Sequence, residues 1–373
     1  MKLTSVNKLK KTFLGLIAVC LALSCTAGPF DFTFPKAEEQ QDFFRKFREM
    51  VVGTPAEIVD PAMTFDQEIQ KDGYTQYLVS YNVEKEERVS AWLLVPDHKP
   101  GEKLPLVFCL HPTWREGKDV MINQWATPPK NDAELRTRNN RSYGVELVKH
   151  GFVCFAPDRY GYGARAPLPE EKNPVANMKA YEAEFAKRHP NWHRTFGKVP
   201  FDLSRALDAL LKLDYIDGDN VGTIGHSLGG WDSLYFWGSD PRVKAAVPNS
   251  GGAHWVIKEA WLNHAWRMRF VAGEVKGFNP KSTDAVAPIY IMMGAPKPLL
   301  YMRALRDAGT DYASSVLERA RMIRAYYNTF PGNPYQIHGK NQFAVFFHDE
   351  NHDFPVFARE LAYRWLKVQL MGK

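Results

Sequence analysis

The 373-residue chain has few cysteines, four in all, and its N-terminal apolar segment of about 13 residues is too short to cross a bilayer as a helix. Cys20 and Cys25 lie at the N-terminus. Cys109 and Cys154 lie inside the apolar runs LVFCL and GFVCFAP. Such positions are typical of small buried side chains and exclude a fold that depends on a framework of disulfides.

The chain also has little net charge once its N-terminus is set aside. The formal charge is +6, but residues 1–30 contain four lysines and no acidic residue, so the remainder carries only +2. No block of lysine or arginine occurs elsewhere. This balance gives no argument for a polyanionic partner, and we expect none of the nucleic-acid kind.

The first 24 residues have the pattern of a secretory signal peptide, with Lys8-Leu9-Lys10-Lys11 followed by TFLGLIAVCLALS. The segment ends in Ala22-Leu23-Ser24-Cys25, which resembles the bacterial lipoprotein box and implies lipidation of Cys25. Leucine is usual where this chain has Ala22, so cleavage after Ala27 to give a soluble exported protein stays open. We expect export, with membrane contact only through a lipid on Cys25.

A serine stands in a distinctive pentapeptide, Gly225-His226-Ser227-Leu228-Gly229, directly after an apolar run. The pattern predicts a strand that ends at Ile224 and turns sharply into a helix near Leu228. Such a nucleophile elbow strains the serine backbone and exposes its Oγ above the sheet. Glycines flank the serine because side chains there would collide with the neighbouring strand and helix.

An acid and a histidine follow the serine in the order that such enzymes need. Asp307 lies five residues beyond the strand-like run 298–302, and His352 lies in a short polar loop between the strand QFAVFFH (342–348) and a helix-patterned tail. In this arrangement His352 removes the proton of Ser227, and a carboxylate orients the imidazole. Asp311 is the alternative acid, although Gly309-Thr310-Asp311 also has the pattern of a helix N-cap.

The oxyanion hole requires backbone N–H groups, which the sequence places at two points. One is the amide of Leu228, just after the serine. The other follows the apolar run 104–110 in His111-Pro112-Thr113-Trp114. Proline has no N–H, so the donor is expected to be Thr113, or failing that Trp114.

We expect no metal or cofactor. His348 and His352 stand four residues apart beside three carboxylates, but the loop lacks the HExxH helix pattern.

Strand and helix patterns alternate from residue 104 onward, after an antiparallel pair at 75–83 and 88–96. This order predicts a mostly parallel central sheet with helices on both faces and the site at the carboxyl ends of the strands. We expect a single domain over 25–373 with a helical lead-in at about 37–60. Insertions at 160–200 and 252–285 are expected to lie over the active site.

Five segments together carry a family resemblance: PLVFCLHPTWREGKD, GFVCFAPDRYGYGAR, DLSRALDALLKLDYIDGDNVGTIGHSLGG, KPLLYMRALRD and FFHDENHDFPVFARELAYRWL. The chain resembles the dienelactone-hydrolase-like and acetyl-xylan-esterase-like branch of the α/β-hydrolases over roughly residues 75–370. Dienelactone hydrolases have cysteine where this chain has Ser227, and the usual His-Gly is His111-Pro112 here. The resemblance implies an exported serine esterase with Ser227, His352 and Asp307 as its triad.

The substrate implied is a small-molecule or polysaccharide ester. Three alternatives stay open: a peptidase of the prolyl-oligopeptidase kind, a lipase of the same fold, and a non-catalytic surface lipoprotein. About 50 mature residues precede the first strands, which are too few for the propeller that such peptidases normally carry.

Overall fold

The computed structural model describes residues 41, 42, 44, 45, 57–190, 197–251, 290–307, 323, 324, 327 and 343–372. Nine strands form one sheet: β1 (Thr64–Lys71), β2 (Tyr74–Glu84), β3 (Glu87–Pro96), β4 (Leu104–Leu110), β5 (Val153–Pro157), β6 (Ile216–His226), β7 (Val243–Asn249), β8 (Leu299–Ala304) and β9 (Phe343–His348). The described helices with defined bounds are α1 (Asp132–Asn139), α2 (Tyr143–Leu147), α3 (Pro174–Arg188), α4 (Val199–Leu210), α5 (Leu228–Ser239) and α6 (Val356–Met371).

The sheet has the strand order β1-β2-β3-β5-β4-β6-β7-β8-β9. Strands β1 to β3 pair antiparallel, β3 pairs antiparallel with β5, and every later pair is parallel. Parallel strands need crossover connections, and the helices that supply them cover the sheet. The predicted α/β-hydrolase fold with a mostly parallel sheet is confirmed.

Two hydrophobic cores lie on opposite faces of this sheet. One contains Leu203 of α4 and Leu234 of α5 against β2, β4 and β6. The other contains Leu147 of α2 and Leu366 of α6 against β4, β5 and β7. Helices therefore cover both faces, as predicted. No helix among the described residues has the length and apolar character that crossing a bilayer requires.

Sequence patterns missed β1, α1 and α3. Strand β1, TFDQEIQK, is exposed along almost its whole length and so lacks the apolar alternation that marks a half-buried strand. Helix α3 lies within the insertion at 160–200 and does carry a start signal: the Asn173 side chain accepts from the Val175 N–H, and Pro174 follows at the first helical position.

Other expectations fall largely outside the described residues. Of the predicted helical lead-in at 37–60, residues 41, 42, 44 and 45 are helical, residues 57–60 are not helical, and the others lie outside the described residues. The insertion at 252–285 and the leader with Cys25 lie outside as well. The single domain over 25–373 therefore stays a prediction.

Candidate active site

Ser227 occupies a sharp turn between β6 and α5. Its backbone has φ 56° and ψ −117°, a conformation that costs a non-glycine residue roughly 1–3 kcal/mol. Two bonds hold it there: the Ser227 N–H donates to the Asn249 carbonyl at 2.9 Å, and the Trp231 N–H donates to the Ser227 carbonyl at 3.1 Å. The strained turn that the sequence predicts is present.

The glycines on either side are required by close backbone approach. A Cβ on Gly225 would lie 2.0 Å from the Gly229 carbonyl oxygen, and one on Gly229 would lie 1.9 Å from the Leu110 carbonyl oxygen. Since these neighbours are backbone atoms, they cannot move aside as a flexible side chain can. The predicted requirement for glycine at both positions is therefore confirmed, because a side chain at either one would collide with backbone atoms.

The side chains of Ser227, His352 and Asp307 form a chain of hydrogen bonds. Ser227 Oγ lies 2.7 Å from His352 Nε2, and His352 Nδ1 lies 2.7 Å from Asp307 Oδ2. In the neutral tautomer that fits, Nδ1–H donates to the carboxylate and Nε2 accepts the serine proton. This geometry is the one a general base and its orienting acid need.

The side chains of the proposed triad differ in solvent exposure. The His352 side chain is 45% exposed, whereas Asp307 is 9% exposed. Asp307 lies three residues beyond the end of β8, where Leu305 N–H donates to the His348 carbonyl at 2.9 Å. Asp311 lies outside the described residues. Asp307 is thus within reach of the imidazole, and its catalytic role stays a prediction.

The loop that carries His352 is fixed by residues that the sequence did not single out. Arg141 Nη2 donates to the His352 carbonyl at 2.9 Å and also forms an ion pair with Asp353. Asn140 Nδ2 donates to Asp353 Oδ2 at 2.7 Å. Burial would raise the pKa of Asp353, but Arg141 outweighs it and holds that pKa below its usual value. These partners lie more than 200 positions apart in the sequence, so no local signal could have found them.

The loop after β4 lies beside the start of α5, since Leu110 pairs with Gly225 across β4 and β6. In that loop the buried His111 is bound at both ring nitrogens. Nδ1 donates to the Pro112 carbonyl at 2.8 Å, and Nε2 accepts the Arg159 N–H at 3.1 Å. Burial lowers the pKa of His111, which keeps it in this neutral form. His111 therefore shapes the turn.

The two backbone N–H groups that are expected to form the oxyanion hole lie in these neighbouring segments. Leu228 is the first residue of α5, so its N–H has no acceptor within the helix. Thr113 is exposed in the loop after β4. Their convergence on one oxygen stays a prediction.

Metal binding finds no support within the part of the chain that the structure describes. No group of three or more histidine, cysteine, aspartate or glutamate side chains there is arranged to hold a metal ion. His348 bonds to Asn249, whereas His352 bonds to Ser227 and Asp307. The two histidines thus have separate partners.

Three solved structures of similar fold are described as esterases. A glucuronoyl esterase from Solibacter usitatus matches with 16% identity over 91% of this chain and 94% of its own, at a TM-score of 0.61. A Bacteroides fragilis NCTC 9343 protein described as an acetyl xylan esterase matches with 16% identity over 89% and 81%, at 0.60. A CE15 glucuronoyl esterase from Teredinibacter turnerae T7901 matches with 17% identity over 88% and 84%, at 0.58. At these identities the likeness shows the fold.

Among curated proteins nothing matches this sequence. The family comparison does find a match: the model of the prolyl oligopeptidase family matches residues 175–368, slightly more than half of the chain. This range includes the elbow and the histidine loop. The chain therefore belongs to the prolyl oligopeptidase family, among the serine hydrolases of the α/β-hydrolase fold.

Proposed function

We propose that the chain is an exported serine esterase with Ser227 as nucleophile, His352 as general base and Asp307 as orienting acid. The observation that carries the proposal is the pair of 2.7 Å contacts from Ser227 Oγ to His352 Nε2 and from His352 Nδ1 to Asp307 Oδ2. The strained backbone of Ser227 supports it, because strain of this kind recurs at nucleophile elbows.

The reaction proceeds in two halves. Ser227 Oγ attacks the ester carbonyl carbon while His352 Nε2 takes the serine proton, and the carbonyl oxygen becomes an oxyanion held by the N–H groups of Leu228 and Thr113. The tetrahedral intermediate expels the alcohol, which receives the proton from His352 and leaves an acyl-enzyme. Water then attacks the acyl carbon with His352 again as base, and the carboxylic acid is released.

The substrate class we propose is an ester on a polysaccharide, either an acetyl group or a methyl uronate. Support comes from the neighbours of similar fold, which are described as acetyl xylan and glucuronoyl esterases. These neighbours share the fold at 16% identity, and a direct assay tests the substrate.

A peptidase is the second candidate, and the family match favours it. The same triad attacks esters and amides, so the site geometry fits both. The purified mature protein is therefore tested against acetylated sugars, methyl uronates, short p-nitrophenyl esters, long-chain esters and peptide amides. Turnover of acetylated sugars or methyl uronates that exceeds turnover of peptide amides supports the proposal. Preference for proline-containing peptides overturns it in favour of a peptidase, and preference for long-chain esters favours a lipase.

A matched pair of variants in the same assays separates a catalyst from a binding protein. Ser227→Ala removes only the nucleophile, whereas Ser239→Ala changes a partly buried serine at the other end of α5. Loss of turnover in the first and retention in the second supports the proposal. No turnover of any substrate by the wild type favours a non-catalytic surface lipoprotein.

For location, we propose that residues 1–24 are removed as a signal peptide and that Cys25 is lipidated, leaving one domain over 25–373. Several acyl chains would anchor the protein, at about 0.8 kcal/mol per buried methylene. Cys25→Ala should shift the protein from the membrane fraction to a soluble or unprocessed form. Unmodified wild type found free in the periplasm or medium would instead indicate cleavage after Ala27.

A further inference from the structure

Three buried side chains, His226, Asn249 and His348, form a hydrogen-bonded network under the His352 loop, at the carboxyl ends of β6, β7 and β9. Asn249 Nδ2 lies 2.8 Å from His226 Nδ1. Asn249 Oδ1 lies 2.9 Å from His348 Nε2. All three residues are at most 2% exposed. No residue of the proposed triad belongs to this network, and no step of the proposed reaction uses it.

The hydrogen positions in the network follow from a third contact. Asn249 Nδ2 also lies 2.9 Å from the carbonyl oxygen of Asp353, which can only accept. The amide nitrogen must therefore face Asp353 and His226, and both of its protons are used. His226 Nδ1 must accept and so carries no proton. The remaining amide oxygen accepts the Nε2–H of His348, and the orientation of the amide thus fixes one tautomer at each histidine.

Asn249 also joins the two halves of the proposed site. Its backbone carbonyl accepts the Ser227 N–H at 2.9 Å. Its side chain holds the carbonyl of Asp353, the residue directly after His352. Through His348, whose carbonyl accepts the Leu305 N–H, the network also contacts the segment that leads to Asp307. A single residue thus links the nucleophile turn to the base loop.

His226 lies directly beside the proposed base. Its ring centroid is 4.7 Å from that of His352, and its ring also stacks with Phe354 at 6.2 Å between centroids. During the reaction His352 becomes an imidazolium, and a second positive charge at this distance would oppose that step. A neutral His226 avoids the conflict.

Charges around both buried histidines favour the neutral state overall. Burial, then Arg141, His352 and His348, lower the pKa of His226 well below its usual value, against a smaller raising effect of the Asn249 backbone. Burial lowers the pKa of His348 to about 4, with Arg303 acting in the same direction and Asp353 and Asp307 against it. The donor that Asn249 presents to His226 Nδ1 adds a geometric barrier, because a proton there would face an N–H group.

We propose that Asn249 is a positioning residue. It fixes the position of the nucleophile turn relative to the His352 loop, and it keeps His226 neutral beside the base. The proposal rests on the triad proposed above. Residues that act through such supporting bonds affect turnover because a displacement of about 1 Å can cost roughly a hundredfold in rate. The effect should therefore fall on kcat rather than on KM.

The first test compares Asn249→Leu with Thr223→Val in the full mature chain. Leucine has the same number and branching of side-chain heavy atoms as asparagine and removes the three side-chain bonds of Asn249. Thr223 is a buried residue of β6 whose hydroxyl bonds to the Phe108 carbonyl, away from the network. For an ester that the wild type hydrolyses, Asn249→Leu should lower kcat about 10- to 100-fold with KM within about twofold. Equal kcat values in the two variants would overturn the proposal.

The second test needs no turnover and so separates this proposal from the esterase proposal. In histidine-15N-labelled protein, His226 Nδ1 should give the signal of an unprotonated ring nitrogen throughout pH 5.5–8. In Asn249→Asp the side chain can no longer donate, so His226 Nδ1 should become protonated in that range. A protonated His226 Nδ1 in the wild type would overturn the proposal even if Ser227 proves to be the nucleophile.

Discussion

This molecule contains two clusters of hydrogen-bonded or ion-paired polar side chains, which differ in solvent exposure and in backbone strain. One is the proposed triad of Ser227, His352 and Asp307. The other, the buried ion cluster, comprises Glu84, Glu87, Arg165, Lys198 and Asp202. The triad has a strained backbone and a histidine side chain that is 45% exposed. The ion cluster pairs acids with bases away from solvent, and the Lys198 side chain is fully buried.

The ion cluster joins elements that are distant in the sequence. Lys198, which precedes α4, lies 3.0 Å from Glu87 at the start of β3 and 2.9 Å from Asp202 of α4. Arg165, in the insertion, lies 2.8 Å from Asp202 and forms an ion pair with Glu87. The cluster thus ties the insertion to the β2–β3 hairpin and to α4. We therefore expect its role to be structural.

The ion cluster contains strongly shifted pKa values, although no step of the proposed reaction uses it. Burial opposes the charge of Lys198, but Asp202 and Glu87 outweigh burial and raise its pKa. Burial likewise opposes ionisation of Glu87, but Arg165 and Lys198 hold the pKa of that carboxyl below its usual range. Strong shifts here mark paired charges that support structure. The proposed triad is distinguished instead by the solvent exposure of His352 and by the strained backbone of Ser227.

Ser227→Ala should give the largest effect and the clearest contrast. Ester turnover should fall at least about 10⁴-fold because the nucleophile is removed, and the thermal midpoint should stay nearly unchanged because Ser227 has no packing role. Steady-state kinetics and thermal denaturation of the same preparation measure both. Retention of most of the activity would contradict the role of Ser227.

Asp307→Asn should cost roughly 10³ to 10⁴ in turnover with little loss of stability, because the imidazole loses its orienting carboxylate. Asp311→Ala is the matched variant. The sequence pattern predicts Asp311 to be a helix cap, so its loss should cost about 1 kcal/mol of stability and little turnover. Turnover and urea midpoints decide between them. If Asp311→Ala is the inactive variant, Asp311 is the acid.

Lys198→Met should affect stability and leave activity, because it removes one of the two buried cations, Lys198 and Arg165, that pair with Glu87 and Asp202. The free energy of unfolding should fall by about 3–5 kcal/mol, whereas turnover per folded molecule should change little. Lys187→Met removes an exposed ion pair to Glu184, at 2.7 Å, and should cost less than about 1 kcal/mol. Urea denaturation measures both variants. Equal losses would mean that the ion cluster is not a structural anchor.

Acidification should destabilise the site region through its neutral histidines. The folded pKa of His348 is about 4, below the value near 6.5 of an unfolded chain, so the unfolded state binds more protons between these limits. The stability present above about pH 6.5 is therefore lost as the pH falls toward 4, by about 3 kcal/mol for this group at most. His348→Gln should flatten that dependence in urea denaturation. An unchanged slope would show that His348 does not titrate in this way.

Much of the fold could be predicted because its signals are local. The elbow requires glycines around Ser227 within five residues, and each parallel strand is a short apolar run. The proposed base and acid follow predicted strands, so the order of the strands brings them to the same edge of the sheet. Strand β1 lacked such a signal because almost all of its side chains are exposed.

The supporting residues could not be predicted because their contacts are long-range. Asn249 meets Asp353 across 104 positions, and Arg141 meets it across 212. Nothing in the residues around Asn249 distinguishes it from an ordinary polar residue at a strand end. Only the strand order β6-β7-β8-β9 brings its side chain between two histidines.

Covalent trapping tests the central claim most directly. The purified mature protein is incubated with a fluorophosphonate, which reacts with activated serines, and peptide mapping by mass spectrometry then locates the adduct. We predict a single adduct on Ser227 that is absent from His352→Ala, since the serine is activated only by its base. An adduct on another residue, or none on Ser227 in a folded wild type, would contradict the account.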